Sequence, residues 1–177
     1  MEDILKSVKE ASRVIATLKG EVKRKVLREM ADRIEKYQKD IIEANKKDLE
    51  YAKENNLSSA LVDRLLLNEK RIKSMADALR DISNLKDPVV IDGWNIDNGL
   101  RIEKVKIPIG VIGIIYESRP NVTSDAAGLC FMSGNACILK GGKEAFHSNT
   151  TIIEILRYVL EKNHLPCLLY TSPSPRD

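Results

Sequence analysis

Two apolar runs, each followed by a polar break rich in turn-forming residues, constrain the fold of this chain more than any other feature. The first run, residues 111–115, contains only Gly113 as an interruption, and the break at residues 117–121 follows it. The second run, residues 136–139, leads into the break at residues 140–143. Short continuous apolar runs of this kind are typical of strands in a parallel sheet, so we expect the first strand to be buried on both faces.

Helical segments separate and follow these two strands. Residues 122–133 have a helical pattern, and Gly134 stands where a left-handed residue would end that helix. A further helix is predicted from residue 143 to about residue 162. The order is therefore βαβα, in which parallel strands are joined by a crossover helix. Ligands of such sheets gather beyond the carboxyl ends of the strands, so both polar breaks should face one crevice.

The first half of the chain is predicted to be helical. Residues 3–18 carry apolar side chains at a one-sided helical spacing, and residues 21–54 continue as one longer helix. The spacing of the longer helix also fits a coiled-coil seam, which stays an alternative. Two shorter helices follow, with Ser58 and Asn68 as their predicted N-caps, and the second runs to about residue 83.

A β-hairpin is predicted at residues 89–106, where the period of the apolar pattern changes to two. Asn98-Gly99 is a strong turn signal, and the strands should lie between about Trp94 and residue 105. Because an isolated two-stranded ribbon is only marginally stable, we expect it to pack on another subunit with Trp94 as an anchor.

The last eleven residues differ in character from the rest of the chain. Residues 167–177, CLLYTSPSPRD, have no periodicity and resemble the translation of a sequencing adapter. We expect the natural sequence to depart from this chain after Pro166, and a third parallel strand to be absent.

Composition and charge exclude several classes of protein. The chain has 177 residues and a net charge of +3, which is too close to neutral to indicate nucleic-acid binding. No apolar run reaches the roughly 18 residues of a membrane span, and no signal peptide opens the sequence. Three cysteines within apolar elements or the tail do not indicate a disulfide framework, so a cytoplasmic protein is expected. No other potential metal ligands accompany His147 or His164 in the sequence, so no metal site is predicted.

Three segments of the chain resemble one enzyme family. They are YESRPNVT within residues 108–123, SGNACILKGGKEA at residues 133–145, and the hairpin segment NGLRIEKVKIPIG from Asn98. These segments resemble the gamma-glutamyl phosphate reductase family (glutamate-5-semialdehyde dehydrogenase) of the aldehyde dehydrogenase superfamily. The resemblance extends over residues 1–166 and implies an N-terminal fragment of a longer enzyme. The expected fold is therefore α/β: N-terminal helices, a β-hairpin and the first βαβα of a Rossmann-like parallel sheet.

The resemblance implies an activity. Members of the family reduce L-glutamyl 5-phosphate with NADPH in proline biosynthesis, giving L-glutamate 5-semialdehyde, phosphate and NADP. A cysteine thiolate of the family attacks the acyl phosphate, phosphate leaves, and the thioester accepts a hydride. That cysteine belongs to a later catalytic domain that this chain lacks. We expect Cys130 and Cys137 to be inert core thiols and this chain alone to be inactive.

The resemblance also implies a set of site residues. Lys140 matches a lysine that reaches the adenosine ribose, and Lys143 stands where relatives that prefer NAD carry an acid, so Lys143 could attract a 2′-phosphate. The alternative is that Lys143 is only a solvated residue. The residues predicted to bind NADP(H) are Tyr116, Glu117, Ser118, Lys140, Gly141, Gly142 and Lys143.

Three residues of the first break are candidates for contacts with the substrate. Ser118 or Asn121 could orient the acyl oxygen, although Asn121 could instead be only an N-cap. Arg119 could contact the phosphate or carboxylate of the substrate, or form a surface ion pair. No catalytic residue in the narrow sense is expected within the chain.

These expectations divide the chain into four parts. They are a helical part of the cofactor domain at residues 1–88, an oligomerisation-type hairpin at residues 89–106, the start of an NADP-binding α/β domain at residues 107–166, and an artefact tail at residues 167–177. Two other functions stay open: an aldehyde dehydrogenase with a different acyl substrate, and a non-catalytic helical interaction module built on residues 21–54.

Overall fold

The computed structural model of the protein describes the backbone of residues 2–86, 91–166 and 169–171, and the side chains of residues 5–86 and 93–166. The predicted boundary at residue 88 and most of the predicted tail lie outside the described residues. The helices are α1 Glu2–Ala16, α2 Gly20–Lys36, α3 Gln38–Glu54, α4 Ser59–Leu65, α5 Glu69–Asn84, α6 Asn121–Met132 and α7 Phe146–Lys162, with a 3₁₀ turn at Lys143–Ala145. The strands are β1 Ile91–Asn95, β2 Arg101–Val105, β3 Val111–Ile115, β4 Ala136–Lys140 and β5 Leu169–Thr171.

The helical core forms where the apolar stripes of α2 and α5 meet. Met30 and Ile34 of α2 are buried in the same cluster as Met75 and Leu79 of α5. Helix α6 lies against them so closely that a Cβ on Gly128 would be 2.7 Å from Leu79 Cδ2. The one-sided spacing of apolar residues thus predicts the buried faces of α2 and α5, except that Val22, expected on the inner stripe, is 38% exposed.

The predicted N-caps of α4 and α5 are both confirmed. The Leu61 N–H donates to Ser58 Oγ at 3.4 Å, and the Arg71 N–H donates to Asn68 Oδ1 at 2.9 Å. Each cap satisfies a backbone donor that has no partner within the first turn. A short polar side chain before an apolar stripe was therefore a sufficient signal here.

The prediction of one continuous helix over residues 21–54 is wrong, because the helix is interrupted at Tyr37. Tyr37 leaves helical geometry with φ −101° and ψ 22°. The Arg33 guanidinium lies 4.4 Å from the centre of the Tyr37 ring and 3.4 Å from that of Tyr158 on α7. The contact with Tyr158 thus adds a cation–π interaction to this turn from outside the segment. With the helix broken, the coiled-coil alternative has no continuous seam.

The β-hairpin is confirmed, with β1 and β2 antiparallel and Trp94 opposite Ile102. Gly99 closes the turn at a φ of +85°, where the predicted Asn98-Gly99 pair stands. Every residue of β2 is exposed, and Trp94 is 49% exposed. The hairpin thus presents an apolar surface that lacks cover among the described residues.

The second sheet is parallel, in the order β3-β4-β5, with Val111 opposite Ala136. Burial of β3 on both faces was predicted wrongly, since Ile115 is 84% exposed. The reason is that β3 is an edge strand within the described part of the chain. The absence of a third strand was also predicted wrongly, because Leu169–Thr171 pairs in parallel with β4.

Helix α6 connects β3 and β4 as predicted. It begins at Asn121, one residue before the predicted start, and Gly134 follows it with a φ of +80°. Leu129 of α6 is 51% exposed, whereas Ala126 and Cys130 are buried. No described helix is both long enough and apolar enough to span a bilayer.

Candidate functional site

The two polar breaks meet at the carboxyl ends of β3 and β4, as predicted. Ile115 is opposite Lys140 in the parallel register, and the Tyr116 N–H donates to the Lys140 carbonyl oxygen at 3.0 Å. Further out, the Ser118 hydroxyl donates to Glu144 Oε1 at 2.5 Å. We call the space between residues 116–119 and 140–144 the crevice. Its two walls come from consecutive strands of one sheet.

A chain of buried hydrogen bonds fixes the floor of the crevice. The Tyr116 hydroxyl lies 2.6 Å from Thr123 Oγ1, which donates to Asn149 Oδ1 at 2.8 Å. Burial raises the pKa of the Tyr116 phenol, and the hydrogen bond with Thr123 opposes that rise. This chain ties β3, α6 and α7 together directly below the crevice.

Gly141 is required for this close approach. A Cβ on Gly141 would overlap Asn149 Nδ2 and would lie 3.2 Å from the Tyr116 ring. Real side chains do not approach this closely, so another residue at this position would displace the floor of the crevice.

Glu144 is the residue of the crevice that sequence reasoning missed. Its carboxylate folds back over Gly142, where a Cβ would overlap Glu144 Oε1. The same carboxylate accepts the hydrogen bond from Ser118, which is only 3% exposed. An acidic residue beside a glycine pair carries no signal by itself, because its partner Ser118 is 26 residues away.

The two lysines of the second break remain available to an anion. Lys140 is half-buried and Lys143 is exposed. Neither forms an ion pair with any residue that the structure describes. Glu117, on the opposite wall, is also exposed. The crevice therefore combines unpaired cations on one wall with a buried hydroxyl and an acid near its centre.

The end of the first break opens toward helix α4. Arg119 is exposed, and Asn121 Nδ2 donates to Asp125 Oδ2 at 3.2 Å. The N-cap interpretation of Asn121 is wrong, because Pro120 occupies the cap position and no side chain caps α6. Asn121 instead presents its amide along the side of the helix.

The start of α7, which follows the crevice, is fixed by an acid from α3. Asp48 is buried and accepts backbone hydrogen bonds from His147 at 3.0 Å and from Ser148 at 2.8 Å, and a third from Ser148 Oγ at 2.6 Å. Burial raises the pKa of Asp48, and these three donors oppose the rise. Asn45, one turn earlier, donates to Ser148 Oγ at 3.0 Å.

The two cysteines with described side chains lie in the core, as expected. Cys130 and Cys137 are free thiols and both are buried. The neighbouring Cys130 thiol and burial both raise the pKa of Cys137, which disfavours the thiolate needed for nucleophilic attack. Within the described residues, no group of three or more histidine, cysteine or acidic side chains could hold a metal ion.

Two curated proteins that this chain is similar to are gamma-glutamyl phosphate reductases. No protein-family model matches the chain. The Gamma-glutamyl phosphate reductase of Nautilia profundicola is 74% identical over 168 residues, which are 94% of this chain and 41% of the relative. That of Nitratiruptor sp. is 61% identical over the same share of each chain. The chain thus spans about two fifths of the length of the curated relatives it matches.

Among solved structures, the Gamma-glutamyl phosphate reductase of Thermotoga maritima matches with a TM-score of 0.91 and 41% identity. The match covers 96% of this chain and 42% of that structure. A salicylaldehyde dehydrogenase from Pseudomonas putida G7 matches with a TM-score of 0.72 and 16% identity over 97% of this chain and 33% of that structure, so the chain has the α/β fold of aldehyde dehydrogenases. By sequence and by fold, the chain is similar to about two fifths of the length of gamma-glutamyl phosphate reductases.

Proposed function

We propose that the complete protein reduces L-glutamyl 5-phosphate to L-glutamate 5-semialdehyde and phosphate with NADPH, as a step of proline biosynthesis in the cytoplasm. The observation that carries the proposal is the 2.5 Å contact between Ser118 and Glu144, which joins the two strand ends into one crevice. It occurs in a chain that is 74% identical to a Gamma-glutamyl phosphate reductase. A crevice beyond the carboxyl ends of parallel strands is where α/β folds bind their ligands.

The coenzyme site that we propose consists of residues 116–118 and 140–143. Lys140 and Lys143 suit a phosphate-bearing coenzyme, because both cations lack a carboxylate partner among the described residues. Gly141 brings the backbone against the Tyr116 ring, because no side chain intervenes. When NADPH is bound, its nicotinamide supplies the hydride for the reduction. The preference for NADPH over NADH is assigned to Lys143.

For the acyl group of the substrate, we assign the oxygen contact to Asn121 in preference to Ser118. The Ser118 hydroxyl is buried and donates to Glu144, whereas the Asn121 amide lines a cleft. An amide N–H aimed at a developing oxyanion is a common stabilising group in acyl transfer. Arg119, which is exposed, is assigned to an anionic group of the substrate.

The exposed hairpin is the proposed contact between subunits. Trp94 and Ile102, which are opposite each other in the two-stranded ribbon, form an exposed apolar surface. Such surfaces commonly mark protein interfaces, and a ribbon gains stability when another molecule covers it.

The test uses a chimera in which residues 1–166 replace the matching segment of the Nautilia profundicola relative. In the reverse direction, L-glutamate 5-semialdehyde, phosphate and NADP should give NADPH, and omission of phosphate should abolish the signal. NADPH formation that does not depend on phosphate would reject acyl-phosphate chemistry. A chimera active only with other aldehydes would favour a different acyl substrate.

Lys143→Glu in the same chimera tests the assignment of the coenzyme. We expect NADPH affinity to fall about tenfold or more, while NADH affinity changes by less than about threefold. Lys86→Glu makes the same change of charge at an exposed residue outside the proposed coenzyme site, and it should change neither the NADPH affinity nor the NADH affinity. An equal loss for both coenzymes would remove the argument from the 2′-phosphate.

A further inference from the structure

A cleft beside the crevice is not explained by the binding of a coenzyme. It has a volume of about 470 Å³ and lies between α4, α5 and the first turn of α6. Arg64 and Arg119 line this cleft and also line a smaller cavity of about 240 Å³ around Tyr116 and Ser118. The cleft therefore adjoins the crevice, with Arg64 and Arg119 lining both.

The arginines of the cleft differ in their availability. Arg71 is engaged, because its Nη1 donates to the Leu66 carbonyl at 2.8 Å and its Nη2 to Asp63 Oδ1 at 2.9 Å. Arg64 and Arg119 are exposed and form no ion pair with a described residue. Two guanidinium groups without an ion-pair partner among the described residues thus line one cleft, and guanidinium groups are common binding partners of carboxylates.

Asp125 supplies the opposite charge. Its Oδ2 accepts from Asn121 Nδ2, but its Oδ1 is buried without a hydrogen-bond partner among the described residues. Burial raises the pKa of this carboxyl group. A buried carboxylate oxygen without a donor carries a large desolvation cost. Rotation of the carboxyl group would bring this oxygen to a ligand ammonium group in the cleft, which carries three donors and a positive charge and would remove that cost.

We propose that this cleft binds the α-amino acid end of the substrate, with Asp125 receiving the α-ammonium group and Arg64 and Arg119 receiving the α-carboxylate. The assignment rests on the proposed function, and it orients the substrate. The amino acid end lies in the cleft, and the acyl group points past Asn121 toward the crevice. Recognition of both charges on one carbon would select an amino acid over a plain dicarboxylic acid.

The first test is a titration of the ¹⁵N-labelled chain with three ligands, followed by NMR at the backbone amides of residues 121–125. L-glutamate carries both charged groups, glutarate lacks the ammonium group, and 4-aminobutyrate lacks the α-carboxylate. We expect L-glutamate to shift these amides at concentrations about tenfold lower than either analogue. Equal potency of glutarate and L-glutamate, or no shift at these amides, overturns the proposal.

Variants separate the two charged contacts. Asp125→Asn should abolish the preference for L-glutamate over glutarate, while Asp81→Asn on the exposed face of α5 should preserve it. Arg64→Gln changes an exposed residue and should not impair folding. It should lower the affinity for L-glutamate and for glutarate by the same factor and leave the affinity for 4-aminobutyrate unchanged. Unchanged affinity of the Arg64→Gln variant for L-glutamate contradicts the carboxylate assignment.

Kinetics of the chimera distinguish failure of this site from failure of the proposed function. In an active chimera, Asp125→Asn should raise the KM for glutamate 5-semialdehyde about tenfold, with a smaller effect on the KM for NADP. An active chimera whose KM is unchanged by Asp125→Asn overturns the site and leaves the function intact. An inactive chimera that still binds L-glutamate in the cleft overturns the function instead.

Discussion

Asp48 shows how a single buried residue can control the geometry of the candidate site. It accepts three hydrogen bonds at the start of α7, immediately after the loop that carries Lys140 and Lys143. An anion at a helix N-terminus is also favoured by the helix dipole. The position of the second wall of the crevice thus depends on a carboxylate from α3, about 100 residues earlier in the chain.

We expect Asp48→Ala to lower the free energy of unfolding by about 2–4 kcal/mol, because it leaves two buried donors of Ser148 and a partly buried donor of His147 without a partner. Urea denaturation followed by circular dichroism measures the change. Glu50→Ala, an exposed acid on the same helix, should change stability by less than about 0.5 kcal/mol. Equal effects of the two substitutions would contradict the capping role of Asp48.

Gly141 gives a second prediction at the residue scale. Gly141→Ala should lower the free energy of unfolding by about 1–3 kcal/mol, since the new Cβ meets Asn149 and the Tyr116 ring. Gly113→Ala on β3 is the matched control, because its Cβ would meet nothing within 4 Å. Thermal denaturation of both variants checks this, and a Gly141→Ala variant as stable as Gly113→Ala would show that the floor adapts.

At the scale of elements, the pairing of α2 with α5 combines an apolar stripe with an ion-pair network. Arg80 of α5 donates to both carboxylate oxygens of Glu35, at 2.7 and 3.0 Å, and also to Asp32 and Asp77. The hydrogen bond from Arg80 lowers the pKa of Glu35 below its ordinary 4.5. Glu35 and Arg80 are both about one third exposed, so solvent screens the pair.

This network predicts a pH-dependent contribution to stability. Because the pKa of Glu35 is lower in the folded state, the stabilisation is complete above about pH 4.5 and is lost as the pH falls through the lowered value. We expect Arg80→Met to cost about 1 kcal/mol at pH 7 and much less near pH 3, as measured by urea denaturation at each pH. Lys70→Met serves as a control on α5, and a constant difference across this pH range would contradict the assignment.

The role of the hairpin depends on whether another subunit packs against its exposed apolar surface. In the chimera, Ile102→Glu should reduce the association state measured by sedimentation velocity, because it introduces a charge into the exposed apolar surface. Leu85→Glu, at another exposed apolar residue, should leave association unchanged. An unaltered mass for Ile102→Glu would exclude the hairpin as the subunit contact.

At the scale of the whole molecule, the sequence predicts what depends on local pattern and misses what depends on distant partners. The N-caps Ser58 and Asn68, the Gly99 turn and the βαβα order follow from spacing within a few residues. The interruption at Tyr37 could not be predicted, because Tyr158 of a distant helix contributes to the stacking.

The same limit applies to the candidate site. Parallel-strand topology predicts that the segments of Ser118 and Lys140 meet, since the ends of adjacent strands share one edge. It does not predict that Glu144 accepts a hydrogen bond from Ser118 across the crevice, or that Arg64 and Asp125 line one cleft. Those contacts depend on how α4 and α6 pack, which periodicity does not encode.

The most direct test of the account is a crystal structure of the chimera with NADPH. We predict that the dinucleotide lies across the crevice, with Lys140 and Lys143 within hydrogen-bond distance of its ribose or phosphate oxygens and residues 116–118 beside the nicotinamide ribose. A dinucleotide bound elsewhere, with the contact between Ser118 and Glu144 undisturbed and the two lysines in solvent, would contradict it.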